Sequence, residues 1–317
     1  MDNVLRNKIL DICKNNFNYL MNLENINGIG MGYKYVNNCK TLELCLHVLV
    51  ENKIDTKYLS KNNIVPKIYM GIKTDVIKFK MPKACGEALP NKIRPVEGGY
   101  GVSCNNISGT IGCIVTKQIG KRVLYYILSN NHVLAGSNKT PLGTVVIQPS
   151  IKDGGNLEMD KIARLNDFVR VQFKNDEGLY PINYVDCAIA RLFNIETISD
   201  RIAYIGKVKG ATEAVEGETV KKVGKITGKT EGEVTTVAGQ MKVSFGKDVA
   251  VFYDQILANI ECHSGDSGST VLNKDDKVIG LLCAGTSNDG DETYNQAVIN
   301  KIDRVLDAFK VELYKSE

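Results

Sequence analysis

A run of small residues surrounds one serine in the C-terminal third of the chain. It reads Glu-Cys-His-Ser-Gly-Asp-Ser-Gly-Ser over residues 261–269, and its second serine is Ser267. Gly265 and Gly268 let the backbone turn sharply and leave the hydroxyl accessible. A serine hydroxyl is a weak nucleophile near neutral pH, so it needs a base, a group that orients the base, and donors for an oxyanion. The run predicts a nucleophile loop if the chain supplies these parts.

Two further motifs supply the base and its orienting group. His132 stands at the end of an apolar, strand-like run over residues 124–134, and Asp186 opens another apolar run over residues 186–192. The chain order His, Asp, Ser is one of the orders in which a Ser-His-Asp triad occurs. Each motif alone also fits an ordinary turn or a structural histidine. Together they predict that Ser267 attacks an acyl group while His132 takes its proton.

These motifs resemble those of the chymotrypsin-like (trypsin-like) serine peptidases. The resemblance is strongest to an intracellular bacterial branch that also includes the plant narrow-leaf type proteins, and it runs from about residue 28 to about residue 305. Further matching segments lie at residues 109–115, 128–134, 147–155 and 223–234.

The resemblance implies a fold, a mechanism and a cleft. The fold is mainly β, with two antiparallel six-stranded β-barrels that leave a cleft between them, a small N-terminal α+β domain and a C-terminal helix. The activity is that of a serine endopeptidase that hydrolyses peptide bonds through an acyl-enzyme intermediate, without a cofactor. Ser267 is then the nucleophile, His132 the general base and Asp186 the orienting carboxylate. The backbone N–H groups of Gly265 and Ser267 form the oxyanion hole.

The resemblance also nominates substrate-binding residues around the serine. Glu261 lies six residues before Ser267, where the family often sets the specificity pocket, and an acidic residue there favours Lys or Arg before the cut bond. His263 is a candidate for substrate contact. The backbone of Cys283, Ala284 and Gly285 lies in the strand that pairs with substrate in relatives.

Asp266, immediately before the serine, needs a partner of its own. In secreted members of the family, cleavage frees a new N-terminus that pairs with the corresponding aspartate. The usual Ile/Val-Val-Gly-Gly start is absent from this sequence. We expect activity without zymogen cleavage, with some other group paired to Asp266.

Residues 1–82 are expected to form the small α+β domain, whose role the sequence does not indicate. Apolar residues at helical spacing predict an amphipathic helix over residues 2–22. Alternating patterns predict the strands 29–36, 41–50 and 75–79, with a turn at residues 37–38 and a short helix over 54–60. His47 falls on the more polar face of its strand, so it is expected to be exposed.

Residues 83–100 read as a connector, and residues 101–317 as the peptidase domain. Short strands bounded by Gly, Pro, Asn and Asp predict one barrel over about 101–195 and a second over about 202–299. A helix is predicted over about 300–314. The terminal helices and the N-terminal domain are candidate contacts of a homo-oligomer, although packing against the chain's own barrels is the default.

Composition narrows the partners and the compartment. Hydrophobic residues make up 43% and charged residues 24% of the 317 residues, with a net charge of +4 and no long Lys/Arg run. This excludes a nucleic-acid footprint, so the expected partner is a protein or peptide substrate. No stretch approaches the length of an apolar membrane span and the N-terminus lacks a signal-peptide pattern. We therefore expect a cytoplasmic protein that binds no membrane.

Two motifs are expected to carry no chemistry. The nine cysteines are scattered without a CxxC and there are only three histidines, so no metal site is expected. Secreted relatives have a disulfide near Cys262 and Cys283, which a reducing cytosol disfavours. Gly228-Lys229-Thr230 resembles the end of a P-loop, but the glycine at 224 leaves three intervening residues where the motif needs four.

Two alternatives stay open on the sequence alone. A peptidase-like fold with a gated or inactive site would serve as a binding or scaffold protein, although all three triad positions are filled. An esterase would use the same acyl-transfer groups, and only an extended cleft that pairs with a peptide strand would distinguish the two activities.

Overall fold

The computed structural model describes residues 3–36, 39–79, 91–195, 198–285 and 296–316. These residues are arranged mainly as β-strands in sheets of eleven, eight and three strands, with four α-helices. The predicted mainly β fold is confirmed. The predicted turn at residues 37–38 and much of the predicted connector lie outside the described residues.

The N-terminal part contains two helices and four strands. They are α1 (Asn3–Asn15), α2 (Asn18–Met21), β1 (Ile26–Val36), β2 (Cys39–Val50), β3 (Ile68–Tyr69) and β4 (Ile72–Lys78). One continuous helix was predicted over residues 2–22, but the chain leaves α1 after Asn15 and forms a second, one-turn helix. The apolar face is nevertheless buried as expected, because Ile9, Ile12 and Cys13 pack into the core.

Short strands fill the next part of the chain. They are β5 (Val96–Gly98), β6 (Gly101–Cys104), β7 (Ile107–Thr110), β8 (Ile114–Ile119), β9 (Arg122–Ser129), β10 (Val145–Ile147), β11 (Lys161–Phe168), β12 (Ile182–Asn183), β13 (Ala188–Leu192), β14 (Ile198–Ile202) and β15 (Gly206–Lys207), with the one-turn helix α3 (Asn131–Leu134) after β9. Seven of these strands and the C-terminal strand β22 (Glu312–Leu313) form the eight-stranded sheet, in the order β22-β8-β9-β13-β11-β10-β6-β7.

Longer strands form the last part of the chain. They are β16 (Thr219–Gly224), β17 (Gly228–Phe245), β18 (Asp248–Ile260), β19 (Thr270–Asn273), β20 (Val278–Gly285) and β21 (Ala297–Lys301), followed by α4 (Ile302–Phe309) and β22 (Glu312–Leu313). The pairings β16–β17, β17–β18, β18–β21, β21–β20, β20–β19 and β19–β16 close these six strands into a ring. The ring falls in the part of the chain where the second barrel was predicted.

The C-terminal helix is shorter than predicted. It ends at Phe309, where Lys310 takes a left-handed conformation with φ +54°. Glu312 and Leu313 then pair with β8 of the eight-stranded sheet. The apolar spacing that predicted a helix to residue 314 therefore continues into a strand, since Val311 and Leu313 also pack inward.

The N-terminal strands extend the sheet of the ring. Strand β1 pairs with β17, with Gly28 opposite Met241, and β2, β4 and β3 follow outward in that order. The side chains of Val251 and Tyr253 in β18 join the core around α1. The N-terminal part therefore shares both a sheet and a hydrophobic core with the ring.

His47 corrects one sequence expectation. The residue is 3% exposed, so the prediction of an exposed strand residue is wrong. Its ring lies over Gly32 of the neighbouring strand, where an added Cβ would stand 2.1 Å from the His47 Cε1. The missing side chain of Gly32 makes room for the ring, which a pattern read along β2 alone does not reveal.

Candidate active site

His132 is placed by a one-turn helix at the end of a strand. Strand β9 ends at Ser129, and α3 then holds His132 in the buried space beside Asp186. The His132 backbone N–H donates to Asp186 Oδ1 at 3.1 Å, and its ring Nδ1 makes a hydrogen bond with Asp186 Oδ2. Because a carboxylate oxygen accepts at Nδ1, the remaining ring nitrogen, Nε2, carries the free lone pair of a neutral imidazole.

The backbone carbonyl and N–H of Asp186 are each hydrogen-bonded to an asparagine side chain. Its carbonyl accepts from Asn130 Nδ2 at 2.7 Å, and its N–H donates to Asn300 Oδ1 at 2.8 Å. Asn300 Nδ2 in turn donates to Gln255 Oε1 at 2.6 Å. Asn130, Asn300 and Gln255 are fully buried. The amide network therefore fixes Asp186 between the eight-stranded sheet and the ring.

The serine loop is fastened to β7 by hydrogen bonds. Thr110 donates from its N–H to the carbonyl of Ser267 at 2.9 Å and from its Oγ1 to the carbonyl of Gly265 at 2.7 Å. Gly265 and Gly268 have φ +107° and +93°, which residues with a Cβ rarely adopt. At Gly268 a Cβ would also stand 2.2 Å from Ser129 Oγ. The two predicted turn glycines are thus required by conformation.

Cys283 joins the serine to the aspartate. The Ser267 hydroxyl donates to the Cys283 carbonyl at 3.3 Å, and the Cys283 thiol donates to Asp186 Oδ2 at 3.5 Å. His132 contacts the same carboxylate oxygen. The three sequence-predicted residues therefore meet around one strand end. Ser267 and His132 are only 5% and 8% exposed.

The ring atom Nε2 of His132 has no hydrogen-bond partner among the described residues. Its Nε2 is buried and makes no hydrogen bond to any of them. The Ser267 hydroxyl is turned to the Cys283 carbonyl instead. A buried ring nitrogen without a partner is available to accept a proton from a group that turns toward it.

Two backbone donors in the serine loop are also unused within the described part of the chain. The N–H groups of Asp266, Gly268 and Ser269 donate to carbonyl oxygens, whereas those of Gly265 and Ser267 donate to no other described residue. Gly265 and Ser267 are the pair predicted for the oxyanion hole. Two unused N–H groups on one tight loop can bind an anionic oxygen.

A buried lysine pairs with Asp266. Lys222 Nζ lies 3.2 Å from Asp266 Oδ2, and both side chains are fully buried. The carboxylate also accepts from the Thr227 hydroxyl and from backbone N–H groups of Ile226, Thr227 and His263. Burial raises the pKa of Asp266, but the Lys222 ammonium and these donors outweigh burial and the pKa is lowered. Lys222 is the group that the sequence left unidentified.

A second buried lysine fastens the loop from the other direction. Lys225 Nζ lies 3.0 Å from Asp153 Oδ2 and donates to Ser108 Oγ at 2.8 Å. Its backbone N–H donates to Thr110 Oγ1 at 3.0 Å, the same hydroxyl that holds Gly265. Burial lowers the pKa of Lys225, and Asp153 partly offsets this effect. The two lysines hold the serine loop between the ring and the eight-stranded sheet.

The predicted specificity residues lie at the surface. Glu261 Oε1 is 3.6 Å from His263 Nε2, and their side chains are 54% and 38% exposed. Neither side chain makes a described hydrogen bond to His132, Asp186 or Ser267. Residues 286–295, which follow β20, lie outside the described residues.

The strand predicted to pair with substrate has one open side within the described residues. Strand β19 pairs with β20 as far as Leu281, and Gly268 and Ser269 of the serine loop continue the hydrogen bonds to Leu282. On the other side, β21 continues to Gly285. Cys283 and Ala284 are buried. Beyond Leu282, β20 therefore has a backbone neighbour on one side only among the described residues.

All eight described cysteines are free, including Cys262 and Cys283. Burial raises the pKa of the Cys262 thiol to about 12 and that of Cys283 well above its ordinary value. Both are therefore neutral thiols at physiological pH. The Cys262 sulfur occupies the space beside Gly285, where a Cβ would stand 2.1 Å from it.

An aromatic group covers the imidazole. Phe245, at the tip of the β17–β18 hairpin, packs edge-to-face on His132 with ring centroids 5.8 Å apart and planes at 70°. Phe173 and Phe252 pack on Phe245 in turn. No local pattern predicts this contact, because 113 residues separate His132 from Phe245 along the chain.

Comparison with known proteins agrees with the fold. No family model and no curated protein matches the chain. The crystal structure of Thermobifida fusca Protease A matches at 17% identity and TM-score 0.50, covering 70% of this chain and 99% of that chain. Alpha-lytic protease homolog N4 matches at 19% identity and TM-score 0.50, covering 69% and 99%. The chain therefore has the fold of the chymotrypsin-like serine proteases.

Proposed function

We propose that this protein is a serine endopeptidase in which Ser267, His132 and Asp186 form the catalytic triad. The observation that carries the proposal is the linked set of contacts from Ser267 through Cys283 and Asp186 to His132 Nδ1. It brings the predicted nucleophile, base and orienting carboxylate to one strand end. The unpartnered Nε2 of His132 gives the base a free proton acceptor.

The reaction begins when the Ser267 hydroxyl turns from the Cys283 carbonyl to His132 Nε2. The hydroxyl oxygen attacks the peptide carbonyl as Nε2 takes its proton, and Asp186 stabilises the imidazolium through Nδ1–H. The N–H groups of Gly265 and Ser267 bind the oxyanion, and one such donor contributes about 3–4 kcal/mol to transition-state stabilisation. His132 then protonates the leaving amine, and water hydrolyses the acyl-enzyme by the same steps.

The open side of β20 favours a peptide over a simple ester. An extended peptide adds to a strand edge by main-chain hydrogen bonds. The backbone of Cys283, Ala284 and Gly285 presents such an edge beside Ser267. We propose that this edge holds the substrate, with Glu261 and His263 contacting substrate residues from the surface.

Lys222 supports activity without cleavage of a precursor. The role of the new N-terminal ammonium in secreted relatives is proposed to be filled by this internal ammonium, which already pairs with Asp266. The free thiols agree with the reducing compartment expected of a cytoplasmic enzyme.

Cleavage of a complex peptide mixture tests the proposal. Wild type and Ser267→Ala are each incubated with peptides derived from a proteome, and new termini are identified by mass spectrometry. Wild-type protein is expected to generate new internal termini that Ser267→Ala does not. A wild type that hydrolyses simple esters but no peptide would support an esterase, and identical peptide mixtures from the two proteins would support a binding role.

A further inference from the structure

Three side chains with metal-ligand chemistry meet on the N-terminal strands, away from the triad. They are Cys45 and His47 of β2 and Asp75 of β4, and their ligand atoms all lie within 4.8 Å of one another. Cys45 and His47 are buried and Asp75 is half-buried. Residues two apart on a strand share a face, and Asp75 is paired directly with His47 across the parallel β2–β4 ladder.

We infer that Cys45, His47 and Asp75 form a binding site for a divalent transition-metal ion of the Zn²⁺ class. A thiolate, an imidazole nitrogen and a carboxylate oxygen are the three ligand types that Zn²⁺ takes in proteins. Mg²⁺ and Ca²⁺ are poor candidates because they prefer oxygen ligands alone. The site has no residue in common with the proposed triad, so it stands whether or not the protein is a peptidase.

The histidine is already oriented as a ligand. His47 Nε2 lies 2.9 Å from the Tyr33 carbonyl, which can only accept, so Nε2 carries the proton. Metal-bound histidines usually donate their other ring N–H to such a carbonyl. This leaves Nδ1 with the lone pair that a ligand needs, and the Thr236 hydroxyl, which lies 3.2 Å from it, would have to turn away for an ion to bind there.

The two remaining ligands balance the charge of a divalent ion. Metal binding displaces the proton of the Cys45 thiol to solvent and leaves a thiolate ligand. The Tyr35 N–H donates to Asp75 Oδ2 at 2.6 Å and orients this carboxylate, while Lys34 Nζ lies 3.9 Å from Oδ1. A thiolate and a carboxylate together supply two negative charges.

The position of the site predicts a structural effect. Its ligands belong to β2 and β4, and the His47 ring reaches across β1 to Thr236 of β17. An ion held there would fasten the outer strands β2 and β4 to each other. Binding to the folded state alone raises the midpoint of thermal unfolding.

Cobalt substitution tests the site directly. Co²⁺ is titrated into the metal-free full-length protein while visible and near-ultraviolet absorption is recorded. Wild type is expected to bind one equivalent and to show thiolate-to-cobalt charge-transfer absorption. Cys45→Ser is expected to lose that absorption and to bind at least tenfold more weakly. Cys39→Ser is the matched control, because Cys39 lies on the same strand but is exposed.

Thermal unfolding separates a lost ligand from a lost fold. Zn²⁺ is expected to raise the unfolding midpoint of wild type and Cys39→Ser, and a chelator to reverse the rise, whereas Cys45→Ser and the nearly isosteric Asp75→Asn gain little. Folded wild type that binds no stoichiometric Co²⁺ would overturn the inference. So would Co²⁺ binding without thiolate absorption, or binding that Cys45→Ser leaves unchanged.

Discussion

Cys283 is the residue that links Ser267 to Asp186. Its carbonyl accepts from the Ser267 hydroxyl and its thiol donates to the Asp186 carboxylate. A thiol is a weak hydrogen-bond donor, so its contribution is modest. It nevertheless occupies the one position that touches both Ser267 and Asp186 in the described contacts.

Replacing Cys283 separates the thiol's role from that of the backbone. Cys283→Ala removes the donor to Asp186 and is expected to lower kcat/KM about three- to tenfold, since one such bond contributes about 0.5–1.5 kcal/mol. Cys283→Ser restores a donor and is expected to recover most of the loss. Equal activity of all three proteins in peptide or ester turnover would show that the thiol does not position Asp186.

The three residues of the proposed triad could be picked out from the sequence, but the residues that support them could not. His132, Asp186 and Ser267 each stand in a local motif, and their order along the chain is informative. Lys222 and Asn300 have no such motif. Their partners lie 44 and 114 residues away, so their roles depend on long-range packing that no local pattern encodes.

Among the secondary-structure elements, strand β16 holds the serine loop through a buried ion pair. Its Lys222 pairs with Asp266, whereas the adjacent Lys221 pairs with the more exposed Asp276. Breaking a buried pair leaves an uncompensated charge and costs about 3–5 kcal/mol. A surface pair contributes about 0–1 kcal/mol.

Lys222→Met is therefore expected to destabilise the protein by about 3–5 kcal/mol and to abolish activity, while Lys221→Met changes both little. In wild type the pKa of Asp266 is lowered, so its stabilisation is complete above the ordinary value of 3.8 and is lost as pH falls below it. Without Lys222 the pKa of Asp266 in the folded protein is expected to be higher, so this acid-induced loss of stability becomes smaller. Urea unfolding at several pH values measures this, and matching curves for the two variants would contradict the role.

The β17–β18 hairpin covers His132 through Phe245. Phe245→Ala is expected to expose the imidazole and to raise the rate of His132 modification by diethyl pyrocarbonate several-fold, as read by peptide mass spectrometry. Phe193→Ala is a suitable control, because Phe193 is 51% exposed and packs on Arg164. An unchanged rate in Phe245→Ala would show that the hairpin does not limit access.

Sequence patterns placed most elements of the ring but divided β17. The apolar pattern alone predicts two strands, over residues 233–237 and 240–245, with a break between them. The structure has one strand, Gly228–Phe245, with register shifts near Ala238, which has φ +53°. The Ala-Gly pair interrupts the apolar pattern because the strand bulges there, while the hydrogen bonds to β18 continue past it.

In the molecule as a whole, the N-terminal strands are part of the same sheet as the ring. The elements of a small α+β unit were predicted, but the pairing of β1 with β17 was not, because a strand's apolar pattern does not name its neighbour. The domain boundary and any contacts between copies of the chain stay predictions. No helix among the described residues is long and apolar enough to cross a membrane.

Removal of residues 1–90 tests this continuity. The shortened chain loses β1, one of the strands paired with β17, and exposes Val251 and Tyr253, which are buried against the N-terminal core. We expect it to aggregate or to lose cooperative unfolding in a thermal scan. A soluble chain with the full-length unfolding midpoint would instead show that the N-terminal part is an independent appendage.

If His132 and Asp186 activate Ser267 in the folded protein, this serine should react with a fluorophosphonate. Intact mass and peptide mapping are expected to show one adduct, on Ser267, in wild type and in Ser264→Ala. Ser267→Ala should not react, and Asp186→Asn should react about 10⁴-fold more slowly. A folded wild type that stays unlabelled, or labelling that survives in Ser267→Ala, would contradict the account.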